Sequence, residues 1–114
     1  PVNVDKVRFD VNSCMHFLVG YCSMSNKKIN KSLNFIVQFI YLIIFELTIR
    51  FLTDYLQSNK YFKIKYETHN LLRAEVQYRL LSSFLSQISN LSKDLQEIGI
   101  STDSTFISDV QKFV

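Results

Sequence analysis

The sequence predicts an all-α fold in a single domain of 114 residues. The chain contains only two glycines and one proline, whereas a β-sandwich or barrel needs many turns built from those residues. Apolar residues recur three and four positions apart along most of the chain, which is the periodicity of amphipathic helices. A chain of this length can bury roughly two thirds of its unfolded surface, so it can form a core without disulfides or metals.

The first predicted helix covers residues 11–22, "VNSCMHFLVGYC". Its apolar positions follow one helical stripe. They are Val11, Cys14, Met15, Leu18, Val19 and Cys22. Asp10 or Asn12 is placed to cap its start, and the polar "SMSNKKIN" that follows is predicted to be a loop.

The second predicted helix covers about 31–58 and contains "LNFIVQFIYLIIFELTIRFL", residues 33–52. Twenty residues make about 30 Å of helix, the thickness of a bilayer core, so a membrane span is an open alternative. Gln38, Glu46 and Arg50 disfavour that alternative, as does an uncharged run of only residues 33–45. We expect a long central helix, apolar nearly all round and enclosed by protein on most sides.

The third predicted helix begins near Glu67 or Thr68 and ends at Ile98, before the stop signal Gly99. A short extended piece is predicted at 62–64 in the preceding loop. Spacings of three and four define a heptad seam. Its residues are Leu81, Phe84, Ile88, Leu91, Leu95 and Ile98. Packing of this seam within its own domain is favoured, and an intermolecular coiled coil stays open. "STDSTFISDV" then begins a short last helix that reaches Val114.

No catalytic, cofactor-binding or metal-binding signature is present, so we predict a protein that is not an enzyme and needs no cofactor. His16 and His69 lie on different helices, and no spacing of zinc ligands occurs. Two glycines cannot build a phosphate-binding loop or a nucleophile elbow. Cys14 and Cys22 are too few for a disulfide framework, which favours an intracellular protein of the nucleus or cytoplasm.

The basic residues cluster around the long apolar stretch. Residues 26–65 hold seven basic and two acidic side chains, a net charge of +5, although the whole chain carries only +3. Six lysines flank the stretch: Lys27, Lys28, Lys31, Lys60, Lys63 and Lys65. One interpretation of these residues is that they are ordinary solvated loop lysines.

The order of a short helix, a long central helix and a third helix resembles the histone-fold family over residues 11 to about 80. "INKSLNFIVQFIYLIIFELTIRFLTDYLQSN" is similar in length and texture to the central helix of that family. "KYFKIKYETHNLLRAEV" resembles its second loop and the start of its third helix. The family has an ion pair between an arginine and an aspartate, which joins its second loop to its third helix. Arg73 and Asp54 are the candidates for that pair. The third helix continues too far, so residues 81–114 would form an extension.

The resemblance implies a head-to-tail dimer through the central helix, in a chromatin, transcription or kinetochore assembly. Such a dimer would bring the six lysines together on one basic surface suited to a nucleic-acid phosphate backbone. We therefore predict a protein–protein interaction or dimerisation module, whose partner is a second copy or another protein. The predicted interface residues are Phe35, Phe39, Leu42, Phe45, Ile49, Leu81, Phe84, Ile88, Leu91 and Leu95.

Two alternatives stay open. The first is a helical-bundle adaptor or tether of a trafficking or viral regulatory protein that docks through the seam. The second is a small membrane-anchored protein that uses residues 33–52. Because the sequence begins with Pro1 rather than Met, we expect a fragment of a longer protein.

Overall fold

The computed structural model describes residues 3–24 and 33–112, which form four α-helices and two short 3-10 turns. The helices are α1 (Val11–Met24), α2 (Ile36–Leu56), α3 (His69–Glu97) and α4 (Ser104–Gln111). The turns are Val4–Lys6 and Leu33–Phe35. Neither described range contains a strand, so the all-α prediction is confirmed. The predicted helix start at 31 and the last two residues lie outside the described ranges.

The structure is built on a hairpin of α2 and α3, against which α1 and α4 pack from the α3 side. Residues of all four helices join one hydrophobic core. Leu18 comes from α1, Val37 and Ile44 from α2, and Ile107 and Val110 from α4. The rest of the buried cluster comes from α3 and from Ile100, which lies three residues beyond the end of α3. The α3 members are Leu81, Phe84, Leu85, Ile88, Leu91 and Leu95.

Five of the six residues of the heptad seam face this core, and the sixth, Ile98 at the C-terminal cap of α3, is 37% exposed. Leu81, Phe84, Ile88, Leu91 and Leu95 are all 0–8% exposed, which confirms that the seam packs within its own domain. The N-terminal segment crosses α3 at the same place, because the Phe9 N–H donates to Ser83 Oγ at 2.9 Å. The Phe9 ring also meets the Phe84 ring edge-on, with centroids 5.0 Å apart.

Helix α2 is covered on one side only, contrary to the expectation of a helix enclosed on most sides. Its inner positions, such as Val37 and Ile44, are buried. Within its most apolar 18-residue window, however, only 11% of the residues are buried. The reason is that α3 covers one face of α2, and no other described helix covers the opposite face. The radius of gyration of 16.2 Å is accordingly larger than the about 13 Å of a compact domain of this length.

The loop between α2 and α3 forms no strand at 62–64. The backbone N–H groups of Tyr61 and Phe62 donate to the Asp54 carboxylate, and side-chain hydrogen bonds of this kind replace the partner strand that an extended segment would need. The predicted cap of α1 is confirmed, because Asp10 accepts from the Ser13 N–H at 3.2 Å.

Gly99 ends α3 as predicted, with a φ of +87°. The Gly99 N–H donates to the Gln96 carbonyl at 3.1 Å, and the Ile100 N–H donates to the Leu95 carbonyl at 2.9 Å. This is the Schellman arrangement, in which the residue after the helix adopts the left-handed conformation that glycine adopts without strain. It turns the chain back so that Ile100 enters the core.

Replacing Gly99 with alanine is expected to lower the free energy of unfolding by about 1–2 kcal/mol, because a Cβ is strained at that φ. No atom lies within 4 Å of the added carbon, so a clash does not contribute. Gly20→Ala is the matched control. It lies inside α1 with equally open space and should stabilise the protein by about 0.5–1 kcal/mol. Urea unfolding measures both, and equal effects of the two changes would contradict the role given to Gly99.

Candidate docking surface

The main surface feature is a row of large apolar side chains along the side of α2 that faces away from α3. We call this the outer face. Its apolar members are Phe35, Phe39, Leu42, Ile43, Phe45, Ile49, Leu52 and Leu56, each 36–72% exposed. Phe35 belongs to the 3-10 turn that leads into α2, and the other seven belong to the helix. The exposed row therefore runs the whole length of the helix.

Helical geometry divides the outer face into two neighbouring stripes, because residues three and four positions apart lie along one side of a helix. The first, the apolar stripe, holds Phe35, Leu42, Phe45, Ile49, Leu52 and Leu56. The second, the mixed stripe, holds Phe39, Ile43, Glu46, Arg50, Thr53 and Gln57. Both charged groups of the outer face thus stand on the same stripe.

Glu46 and Arg50 form an ion pair within α2, with Arg50 Nη2 2.6 Å from Glu46 Oε1. Both side chains are more than half exposed, so solvent screening keeps the contribution of this pair to stability small. A partner that covers the outer face meets a carboxylate already matched by a guanidinium, which lowers the cost of removing each charge from water.

A cavity of about 410 Å³ opens at the C-terminal half of the outer face. Its walls are Ile49, Arg50, Thr53, Asp54, Gln57, Tyr61 and Phe62. Phe62 is held against α2 by the Phe51 ring, with centroids 4.8 Å apart, and Tyr61 stands edge-on to Phe62 at 4.9 Å. The loop after α2 therefore forms one wall of a cavity that lies beside the mixed stripe.

That loop is fixed by a buried polar cluster centred on Asp54 and Asn70, which are 4% and 0% exposed. Asp54 accepts from the Tyr61 N–H at 2.7 Å, from the Phe62 N–H at 3.0 Å and from Asn70 Nδ2 at 2.7 Å. Arg73 Nη1 donates to Asn70 Oδ1 at 2.9 Å and also to the Lys63 carbonyl. The candidate pair Asp54 and Arg73 thus belongs to one cluster, in which Asn70 bridges the two side chains.

The pKa of Asp54 reflects two opposing effects. Desolvation by burial acts to raise the pKa of this carboxyl, because it disfavours the charged form. The hydrogen bonds from the Phe62 and Tyr61 amides and from Asn70 favour the carboxylate, and the net result is a pKa below the ordinary value. Asp54 is therefore a charged acceptor at neutral pH, which keeps the cavity wall in place.

Half of the predicted interface residues lie on the outer face and half do not. Phe35, Phe39, Leu42, Phe45 and Ile49 are exposed there. The seam residues Leu81, Phe84, Ile88, Leu91 and Leu95 are enclosed in the core, so their assignment to a partner interface is wrong. A partner could reach them only by displacing α1, α2 or α4. Three further residues exposed on the outer face were not predicted: Ile43, Leu52 and Leu56. Ile43 and Leu52 lie four and three positions from a predicted member, and Leu56 lies seven positions from Ile49.

The predicted nucleic-acid residues are only partly described. Lys60, Lys63 and Lys65 are exposed on the loop between α2 and α3, at the end of α2 that carries the cavity. Lys27, Lys28 and Lys31 lie outside the described residues. The meeting of the two lysine groups on one surface therefore stays a prediction.

The two histidines have separate surroundings. His16 is exposed on α1, whereas His69 Nδ1 accepts the Lys65 N–H at 3.1 Å and its ring stacks on Tyr66. Within residues 3–24 and 33–112, no three His, Cys, Asp or Glu side chains come together in a way that could hold a metal ion.

Comparisons with protein-family models, with curated proteins and with solved structures find no match for this chain.

Proposed function

We propose that this chain is a non-enzymatic protein–protein interaction module and that the outer face of α2 is its docking surface. One observation carries the proposal: eight large apolar side chains are exposed along one helix of a chain that already has its own core. Their exposed fractions correspond to roughly 700–800 Å² of surface, whereas the largest apolar patch of a typical monomer covers about 300–600 Å². Patches beyond that size mark binding surfaces.

The total surface area supports the same proposal. The chain exposes 7980 Å², whereas a compact monomer of its mass exposes roughly 6500 Å². The exposed area beyond that of a compact monomer is consistent with a surface that another chain covers. A standard interface removes about 800 Å² of exposed surface from each partner.

A membrane anchor is a second candidate function. The segment Leu33–Leu56 has the length and apolar composition of a membrane span, and its low burial distinguishes it from an ordinary core helix. Against this candidate stand the packing of α2 on α3 and the charged side chains Glu75, Arg79 and Lys93 on the exposed side of α3. Insertion of α2 would strip it from α3 and uncover the core, whereas a protein partner leaves the core intact. Flotation of the purified chain with lipid vesicles, without detergent, would favour the anchor.

The sharper form of the proposal is a histone-fold-like subunit of a chromatin, transcription or kinetochore assembly. The order of α1, the long α2 and α3 supports it, as does the polar cluster that joins Asp54 and Arg73 through Asn70. The 29 residues of α3 depart from that family's short third helix. In this form Lys60, Lys63 and Lys65 contact a DNA backbone. Duplex binding that is unchanged when all three become glutamine would refute that contact.

The double variant Leu42→Gln/Ile49→Gln tests the docking surface. Both side chains are about half exposed, so we expect the helix content to stay unchanged and the free energy of unfolding of the monomer to change by less than about 1 kcal/mol. Binding of an anilinonaphthalene sulfonate dye or of a protein partner should fall sharply, because the apolar patch is interrupted in its middle.

The matched control is Leu91→Gln, which places the same amide in the core and should unfold the chain. If Leu42→Gln/Ile49→Gln unfolded the chain to the same degree, the outer face would be part of the folded core and the proposed function would be wrong. Circular dichroism and dye fluorescence on the same samples distinguish these outcomes.

A further inference from the structure

We infer that the cleft between the N-terminal segment, residues 3–10, and α3 is a binding site for a small phosphate monoester, held by the guanidinium groups of Arg8 and Arg79. The cleft shares no residue with the outer face of α2, so this inference is independent of the proposed function. It rests on a cavity, on two guanidinium groups and on two hydroxyl groups that each have a proton to donate.

The cleft contains a cavity of about 450 Å³. Small-molecule sites in proteins occupy about 300–1,000 Å³, so this volume is sufficient for a ligand. The N-terminal segment forms one wall of the cavity and α3 forms the other, and most of the side chains that line it are polar. A lining of this kind favours a hydrophilic ligand, because an apolar ligand would leave the polar groups without partners.

The wall formed by the N-terminal segment is held in place by Phe9. Its N–H donates to Ser83 Oγ at 2.9 Å, and its carbonyl accepts from Gln87 Nε2 at 2.8 Å. Arg8 directly precedes this anchor, so its backbone is held beside the cavity. Only its side chain has to be ordered when a ligand binds, which keeps the entropic cost of binding low.

The cavity wall carries hydrogen-bond donors that lack an acceptor. In the part of the chain that the structure describes, the Arg8 guanidinium has no hydrogen-bond or ion-pair partner, and neither has the Ser82 hydroxyl. Ser83 Oγ accepts from the Phe9 N–H and from Gln87 Nε2, so its own O–H proton is still available to donate. Donors of this number around one cavity suit a ligand group with several acceptor oxygens.

The charges of the cleft favour an anion. The nearest carboxylates to Arg79 Nη2 are Asp5 at 3.7 Å and Glu75 at 4.0 Å. Both distances are longer than the about 2.7–2.9 Å of a charge-assisted hydrogen bond. The Asp5 side chain is 79% exposed, so it can turn into solvent when an anion of higher charge enters. The cleft thus offers one unpaired and one weakly paired guanidinium.

A phosphate monoester fits these donors, because it carries about −1.5 to −2 charges at neutral pH and three acceptor oxygens. A guanidinium can donate two parallel hydrogen bonds to such a group. A carboxylate offers only one charge and two oxygens. The cavity is larger than a phosphate group alone, and Ser86 and Gln87 continue its polar wall. We therefore expect the rest of the ligand to carry hydroxyl groups, as a sugar phosphate does.

Titration calorimetry and NMR spectra of the isotope-labelled chain test the site, with glucose-6-phosphate, inorganic phosphate and glucose as probes. We expect glucose-6-phosphate to shift the side-chain Nε–H signals of Arg8 and Arg79. It should bind about tenfold more tightly than inorganic phosphate, because its hydroxyl groups add hydrogen bonds. Glucose alone should cause no shift. Arg8→Gln should weaken the binding of glucose-6-phosphate about tenfold or more, because charge-assisted hydrogen bonds are lost.

Lys60→Gln is the matched control, because it removes one positive charge from an exposed loop outside the cleft. It should change the affinity less than about twofold. Asp5→Asn should raise the affinity about two- to fivefold, because the carboxylate that competes for Arg79 becomes neutral. Arg8, Asp5 and Lys60 are at the surface, and circular dichroism checks that each variant is folded.

Equal losses in Arg8→Gln and Lys60→Gln would overturn the site, because binding would then depend on net charge alone. An absence of binding by both phosphate probes would overturn it as well. Equal affinities for inorganic phosphate and glucose-6-phosphate would overturn the assignment of a ligand with hydroxyl groups. A lower affinity in Asp5→Asn would contradict the competition between Asp5 and the phosphate for Arg79.

Discussion

Replacing Phe84 with alanine is expected to lower the free energy of unfolding by about 3–5 kcal/mol, the largest stability effect of the alanine substitutions considered for this chain. Phe84 is 0% exposed and lies in the buried cluster with Ile88 and Leu91. Its ring also holds the N-terminal segment through Phe9. Truncation therefore leaves a cavity that the surrounding helices cannot fill without moving the segment that crosses α3.

Urea unfolding followed by circular dichroism measures the effect, at one protein concentration throughout because any association of the folded chain would contribute to the apparent stability. Phe17→Ala on α1 is the matched control, because Phe17 is 71% exposed and its loss should cost less than about 1 kcal/mol. Equal losses for the two variants would contradict the placement of the core around α3.

Replacing Phe39 with alanine is expected to weaken binding of a protein partner to the outer face by about 30-fold while leaving the fold of the chain intact. That change corresponds to about 2 kcal/mol, the size of an interface hot spot in which an aromatic side chain fills a pocket. Phe39 lies on the outer face and is about half exposed in the single chain. Its cost should therefore appear in binding and not in folding.

Titration calorimetry gives the dissociation constant of the complex with the partner, and Phe17→Ala again serves as the control because it removes an exposed phenyl ring from a different helix. If Phe39→Ala left the dissociation constant unchanged and lowered the unfolding free energy as much as Phe84→Ala, the ring would belong to the core of its own chain. The assignment of the outer face would then be wrong.

The two long helices show which parts of this fold can be predicted from sequence. In α3, apolar residues such as Leu81 and Ile88 alternate with serines and charged residues, so the spacing alone identifies the buried side. In α2, apolar residues surround the helix almost completely, and periodicity therefore does not reveal which face α3 covers. Val37 and Phe39 are equally apolar in the sequence, yet one is buried and the other is half exposed.

The polar cluster around Asp54 and Asn70 could be predicted from the sequence only in part. Asp54 and Arg73 could be singled out because their charges resemble a family feature, but Asn70 could not. Asn70 becomes a bridge only when the loop after α2 folds back and brings it within 2.7 Å of a carboxylate 16 residues earlier in the chain. Gly99 was predictable because a glycine after the last apolar position of a helix is a local signal.

The docking surface was predictable in part. The apolar character and the charged pair of α2 are visible in the sequence, and the predicted interface residues Phe39, Leu42 and Ile49 are exposed on the outer face. The division into two stripes, with the cavity at one end, depends on the side that α3 covers and on the position of Tyr61 and Phe62. Those features follow from tertiary packing, which no local pattern encodes.

The most direct measurement is the fluorescence of the anilinonaphthalene sulfonate dye with the wild-type chain beside that with Leu42→Gln/Ile49→Gln, at micromolar protein concentration. We expect strong dye fluorescence with the wild-type chain and a sharp fall with the variant, with the same helix content by circular dichroism. Equal dye fluorescence for the two proteins would contradict the claim that the outer face of α2 is a docking surface.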